Sequence, residues 1–266
     1  MSVGARAPDA AALDCSLPWR EPVNRRLALL EIAGLAGAWP TYLPLPELAL
    51  TPADRIEAAR AVAPGAGERL VLLQPGASDP RRRWPARCFA QLGDMLARDG
   101  ARIVVNGSAQ EAGLVAEVAG HMHHPATTLA GPLAPAPVPA PAPAPGLDGT
   151  ASALGLGGLC GLLARAALVV SNDTGPLHLA LALGVPCVGI FWLTNLVEGM
   201  PLRPSGLHAA LATRTRCPVC GQDNLARRCA HDASFVDEVR VAEVAGLARA
   251  ALAQRRRVQT GSIDRG

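Results

Sequence analysis

Lysine is absent from this 266-residue chain, and all 25 of its basic residues are arginine. Against 22 acidic residues the formal net charge is only +3, and the arginines are scattered. A nucleic-acid surface therefore has little support. With alanine, proline and glycine so abundant, arginine-only usage fits a base-composition bias. Aromatic residues make up 3% of the chain although half of it is hydrophobic, so the core must be built from Leu, Val and Ala. No window offers the roughly 18 uninterrupted apolar residues of a membrane span. The first 15 residues lack the basic-then-apolar order of a signal peptide. The seven cysteines are odd in number and unevenly placed, which argues against a secreted disulfide framework. A cytosolic protein is the expectation.

What is present is an alternation. Leu70 to Gln74 is a short apolar strand, and Ala86 to Asp99 is a helix with Phe89, Leu92 and Leu96 on one face, ended by Gly100. Ala101 to Asn106 reads as a second strand, Ala109 to Ala119 as a helix and Ala126 to Leu129 as a third strand. Leu159 to Ala166 is helical, Leu168 to Val170 a strand, and Pro186 to Phe191 another strand after the helix that Gly175 opens. Short apolar strands separated by helices of about ten residues mean βαβ units and a parallel sheet. Upstream, Asn24 to Ala38 is helical, and Thr51-Pro52-Ala53-Asp54 opens a helix through Val62 with Thr51 as N-cap. The expected organisation is a loose segment 1–23, helices and an extended linker over 24–69, and a Rossmann-like domain over 70–255. A low-complexity Pro/Ala-rich and Gly-rich insertion covers 132–158, a solvated surface loop by composition. Asp237 to Arg255 closes the chain as an amphipathic helix, followed by a loose tail 256–266.

Two loops in this pattern carry chemistry. Ser171-Asn172-Asp173-Thr174-Gly175-Pro176-Leu177-His178 joins a strand to a helix, where unpaired N–H groups and the helix dipole favour an anion. Pro176 suits the first helical turn, Gly175 admits a ligand close to the backbone, and the dipole favours a neutral His178 able to hydrogen-bond it. Gln74 to Pro85 is the second loop, with Gly76 and Ser78 as donors and Arg81, Arg82 and Arg83 as positive charge suited to a pyrophosphate. Both loops follow strand ends, so they converge on one edge of the sheet, where ligands of such folds bind.

Together the two loops resemble the C-terminal half of glycosyltransferase family 9, the lipopolysaccharide heptosyltransferases. Arg82-Arg83-Trp84-Pro85 is similar to the family's Lys-x-Trp-Pro, with Arg82 replacing the lysine, and Asn172 to His178 matches Asn-Asp-Thr-Gly-x-x-His without a gap. Asn106 to Glu111 resembles the turn whose glutamate holds the nucleotide ribose. The likeness runs from about Arg26 to Leu252. It implies the donor-binding domain of a GT-B glycosyltransferase, taking ADP-heptose or a similar nucleotide-sugar and passing the sugar to a lipopolysaccharide-core acceptor at the inner membrane face, with no cofactor. By that resemblance Asp173, Thr174, Gly175 and His178 hold pyrophosphate and sugar, Ser78 and Arg82 neutralise the phosphates, and Glu111 takes the ribose.

The same resemblance places the catalytic base in an N-terminal domain with no counterpart here. Asp9 and Asp14 stand outside any strand-to-Gly-rich-loop setting and are not assigned. A nucleotide-sugar-binding fragment without catalysis is therefore an alternative. A second is a zinc-stabilised interaction domain, because Cys217, Cys220, Cys229 and His231 are four possible ligands. The single residue between Cys229 and His231 looks cramped for tetrahedral zinc, the family often carries a Cys-rich loop at this place, and no metal is expected.

Overall fold

Leu70-Val71-Leu72-Leu73 is apolar at every position, as a strand covered on both faces must be. In the computed structural model, which describes residues 1–38, 48–65, 67–131, 154–202 and 206–261, that run is the centre of a six-stranded parallel sheet. In chain order the elements are β1 (Val3–Arg6), β2 (Cys15–Pro18), α1 (Arg25–Leu35), α2 (Pro52–Ala61), β3 (Arg69–Gln74), α3 (Ala86–Arg98), β4 (Ala101–Ser108) and α4 (Ala112–His121). There follow β5 (Thr127–Gly131), α5 (Leu156–Arg165), β6 (Leu168–Asn172), α6 (Gly175–Ala182), β7 (Cys187–Trp192), α7 (Leu193–Gly199), β8 (Leu207–Ala212) and α8 (Val241–Gly261).

The strand order is β5-β4-β3-β6-β7-β8, every pair parallel. This is the doubly wound arrangement, and the order reverses between β3 and β6. Successive residues of β3 serve opposite faces. Val71 and Leu73 pack with Phe89, Leu92 and Leu96 of α3, Val115 and Val118 of α4, and Val244 and Ala248 of α8. Leu70 and Leu72 pack with Ala58 of α2, Leu162 and Leu163 of α5, and Leu177 and Ala180 of α6. The Thr51 N-cap is observed as a full capping box, with the Asp54 carboxylate returning to the Thr51 N–H.

Several boundaries differ from expectation. Segment 1–23 holds the parallel pair β1–β2, registered Val3 to Cys15 through Arg6 to Pro18, where unpatterned chain was expected. Its strands are only half-covered, so they carry no continuous apolar run to read. The Asp14 carboxylate fastens them by accepting from the Ser2 N–H at 2.6 Å. At the other end α8 runs on to Gly261, through part of the tail expected to be loose. α7 and the edge strand β8 were not anticipated, since Leu207-His-Ala-Ala-Leu-Ala has helix-forming composition and becomes a strand only by pairing with β7. The Pro/Ala-rich stretch from Pro132 to Pro145 lies outside the described residues, while α5 begins at Leu156, inside the expected insertion. Among the described residues no helix is long and apolar enough to cross a membrane.

Candidate active site at the sheet's switch point

The two loops leave β3 and β6, adjacent strands whose Gln74 and Ser171 are paired, so both start from the carboxyl edge where the order reverses. Asn172 binds them together. Fully buried, it accepts a hydrogen bond from the Trp84 N–H at 3.1 Å and donates through Nδ2 to the Pro75 carbonyl at 2.7 Å. Trp84 is itself completely buried, and its indole N–H donates to the Val239 carbonyl at 2.9 Å, just ahead of α8. The tryptophan and asparagine of the two motifs are thus structural, which no reading of single motifs could assign.

The three consecutive arginines go three ways. Arg81 turns into the protein, holding the Asp79 carboxylate at 2.6 Å and the side-chain Oδ1 of Asn224 at 3.1 Å, with its guanidinium over the Trp192 ring. Burial works to raise the Asp79 pKa, but the Arg81 hydrogen bonds and charge outweigh it and the net shift is downward. Arg83 braces its own loop by donating to the Ala77 carbonyl at 2.8 Å. Only Arg82 reaches the cleft, where it donates to Ser78 Oγ at 2.9 Å and stands 3.7 Å from the Asp173 carboxylate. The positive charge expected from three arginines is supplied to the cleft by one.

On the facing loop, Asp173 lies between two basic groups, with its Oδ1 3.1 Å from His178 Nε2. A carboxylate only accepts, so the proton of the ring belongs on Nε2 and Nδ1 is left as an acceptor. Nδ1 is buried and has no hydrogen-bond partner. Thr174 is the N-cap of α6, yet its hydroxyl makes no cap and lies 3.2 Å from Ser171 Oγ instead. Nothing lies within 4 Å of where a Cβ on Gly175 would stand, so the backbone there is open to a ligand. Gly199, at the end of α7, comes over the Asp173–His178 pair, and its carbonyl accepts from Arg26 of α1 at 2.8 Å.

Glu111 completes the rim. It closes a short helical turn, Ala109–Glu111, and its Oε2 accepts from both the Ser108 N–H at 2.8 Å and the Ser108 hydroxyl at 3.0 Å. Among the described residues Oε1 takes no hydrogen bond. Gly76 leaves the space this carboxylate occupies, for a Cβ there would overlap it. Ser78, Arg82, Glu111, Asp173, Thr174, Gly175 and His178 all line one cleft of about 600 Å³. Sequence reasoning missed part of its lining. Gln74 and Asn106, both buried, share a hydrogen bond of 2.8 Å at the strand ends, and Leu154, Leu156 and Leu159 form an apolar wall. The Gln and Asn stood in plain sight as the polar last residues of apolar strands. A cleft with one guanidinium, one carboxylate–imidazole pair, an open helix start and a second carboxylate across an apolar wall suits an anionic group joined to a polyol and a flat ring.

The sequence profile described as glycosyltransferase family 9 (heptosyltransferase) matches residues 10–135 and 147–224. The chain belongs to glycosyltransferase family 9. Two solved structures share its fold. One is a glycosyl transferase family 9 protein from Veillonella parvula DSM 2008, 18% identical, with a TM-score of 0.66, covering 91% of this chain and 64% of that one. The other is the E. coli ADP-heptose lps heptosyltransferase II, 19% identical, with a TM-score of 0.64, covering 91% of this chain and 66% of that one. The family 9 chain thus spans less than two thirds of the length of either. No curated protein sequence matches it. The fold is the Rossmann-like parallel sheet expected for a GT-B glycosyltransferase domain.

Away from the cleft, the family 9 chain brings Cys217, Cys220, Cys229 and His231 together, every ligand atom within 4.8 Å of the others. The spacing that looked cramped in sequence is not so in space. Asn224 donates to Cys229 Sγ at 3.5 Å, and hydrogen bonding led by that amide pulls the Cys229 thiol down to about 6. Of the other cysteines, Cys187 is fully buried and its thiol is pushed up to about 12 by desolvation, as befits an inert core residue.

Proposed function

We propose that this chain binds the donor of a heptosyltransferase, ADP-heptose or a closely similar nucleotide-sugar, and serves transfer of the sugar to a lipopolysaccharide-core hydroxyl at the cytoplasmic face of the inner membrane. The observation that carries the reading is the convergence of Ser78, Arg82, Glu111 and the Asp173–His178 loop on one cleft at the switch point. Arg82 and Ser78 neutralise the pyrophosphate, with the first-turn N–H groups of α6 completing its shell. Glu111 accepts from ribose hydroxyls through its open oxygen, and the leucine wall covers the base. Asp173 holds the His178 ring in place beside the sugar. As the glycosidic bond to phosphate breaks, negative charge gathers on the departing diphosphate. Arg82 stands where that charge develops, so its contribution grows toward the transition state.

Calorimetry with ADP and with ADP-heptose, run beside a transfer assay on a lipopolysaccharide-core acceptor, tests the reading. Saturable ADP binding that Arg82→Ala weakens by about tenfold or more is expected, since a charge-assisted contact is worth roughly 1.5–3 kcal/mol. Absence of ADP binding by the folded chain would overturn it. Binding without transfer would keep the donor site and replace the enzyme with a nucleotide-sugar-binding module.

A further inference from the structure

Between β8 and α8 the chain runs from Thr213 to Arg240 with no helix or strand, only an isolated bridge from Arg216 to Asp223. So long a stretch without regular structure needs another source of order. Its apolar anchors are few, chiefly Cys217, Phe235, Val236 and Val239. Yet four side chains of one chemical kind meet within it. The Sγ atoms of Cys217, Cys220 and Cys229 and a ring nitrogen of His231 lie within 4.8 Å of one another. Tetrahedral zinc, with bonds of about 2.3 Å to sulfur and 2.0–2.1 Å to nitrogen, needs its ligand atoms roughly 3.4–3.8 Å apart. The cluster closes onto such an ion by a contraction of about 1 Å.

The local backbone is built for thiolates. Cys217 to Cys220 forms a tight turn in which the Gly221 N–H donates to the Cys217 carbonyl at 2.9 Å and the Cys217 N–H donates to Gln222 at 2.9 Å. Gly221 takes a φ of +73°, which frees the chain to turn back immediately after the second cysteine. The Val219 N–H lies 3.4 Å from Cys217 Sγ, and the Asn224 amide donates to Cys229 Sγ. Donors aimed at sulfur stabilise the charge that a metal-bound thiolate keeps. His231 Nδ1 is buried without any hydrogen-bond partner, a cost that a metal bond removes. All seven cysteines are free thiols, so no disulfide claims any of the three.

We propose that Cys217, Cys220, Cys229 and His231 form a closed structural zinc site. Three thiolates and one imidazole in a closed tetrahedral set match the ligand types of structural zinc. The site ties this loop to the donor cleft. Asn224, which donates to Cys229, accepts from Arg81 at 3.1 Å, and the Phe235 N–H donates to the Arg81 carbonyl at 2.8 Å. Arg81 immediately precedes Arg82, so the metal braces the loop that presents the cleft's arginine. Binding of zinc does not depend on what the cleft binds, and the two readings fail separately.

The test uses the full chain, purified under a non-thiol reductant and supplied with zinc chloride and then, after metal removal, cobalt chloride. Elemental analysis is expected to find about one zinc per chain. Cobalt is expected to give the intense thiolate charge-transfer absorption and visible bands of a tetrahedral, sulfur-rich site. Cys220→Ser and His231→Ala should each weaken cobalt binding by about tenfold or more, while Cys88→Ser, a cysteine outside the cluster, should leave stoichiometry and spectrum unchanged. Reduced wild-type chain that retains no zinc and gives no tetrahedral cobalt spectrum overturns the site. Iron retained in place of zinc overturns the identity. Undiminished binding by both ligand variants overturns the assignment of ligands. If a variant does not fold, the cobalt titration of the unaltered chain still decides.

Discussion

Replacing Gly76 with alanine is expected to weaken nucleotide binding through a side chain the glycine makes room for. Its φ is not positive, so the backbone accepts an alanine without strain. The cost is space: the new Cβ overlaps the carboxylate of Glu111, which must swing away. Withdrawal breaks the two hydrogen bonds from Ser108, of 2.8 and 3.0 Å, that close the turn before α4. Loss of such a cap costs about 0.5–2 kcal/mol of stability. It also removes the oxygen proposed to accept from ribose, a charge-assisted contact worth about 1.5–3 kcal/mol. Gly76→Ala should therefore weaken ADP roughly 10- to 100-fold, while the melting temperature falls by only a few degrees. Calorimetry with ADP, beside a thermal melt, measures both. Glu111→Ala should give a similar loss of affinity, and the double variant should lose little more, because both changes act through one group. ADP affinity within about twofold of the unaltered chain, with the lowered melting temperature alone, would refute the reasoning and reduce Glu111 to a helix cap.

Two stability predictions rest on buried polar groups. Asn172→Ala strands the buried Trp84 N–H and the Pro75 carbonyl, so it should cost about 2–5 kcal/mol in urea unfolding; a loss under 0.5 kcal/mol would contradict the loop-joining role. Asp94, buried on α3, accepts from the His123 and His124 N–H groups at 3.0 and 2.8 Å and approaches both rings; burial opposes its charge, but these bonds dominate and hold its pKa well below the usual carboxylate value. Its contribution is therefore complete above the unfolded pKa of about 3.9 and fades as pH falls further toward the depressed folded value. Asp94→Asn should be about 1.5–3 kcal/mol less stable at neutral pH, with the gap narrowing below about pH 4; a gap that stays constant into acid would refute it.

The parts of this fold that were legible in sequence were those whose burial is complete. β3, β4, β6 and β7 lie under helices on both faces, so each is an apolar run bounded by turn residues, and the helices between them show one apolar face each. β1, β2 and β8 are half-covered or at an edge, and their pairing partners, not their own residues, make them strands. The candidate site shows the same division. Asp173 to His178 could be placed because a strand-to-helix junction fixes its own geometry, whereas Glu111 was placed by the resemblance of its turn. The sorting of Arg81, Arg82 and Arg83 could not, since it depends on Asn224 and Trp192, more than a hundred residues away. The meeting of Cys217, Cys220, Cys229 and His231 was out of reach for a related reason. The gap between Cys229 and His231 is read along the chain, whereas the fold brings all four side chains together.

Trp84 has a final consequence. Its two hydrogen bonds join the end of β6 to the entry of α8 through the loop that bears Arg82. The two lips of the cleft are therefore one solid piece, and a guest that presses on either is felt by both. Such a receptor meets its guest already shaped, with little ordering left to do on contact.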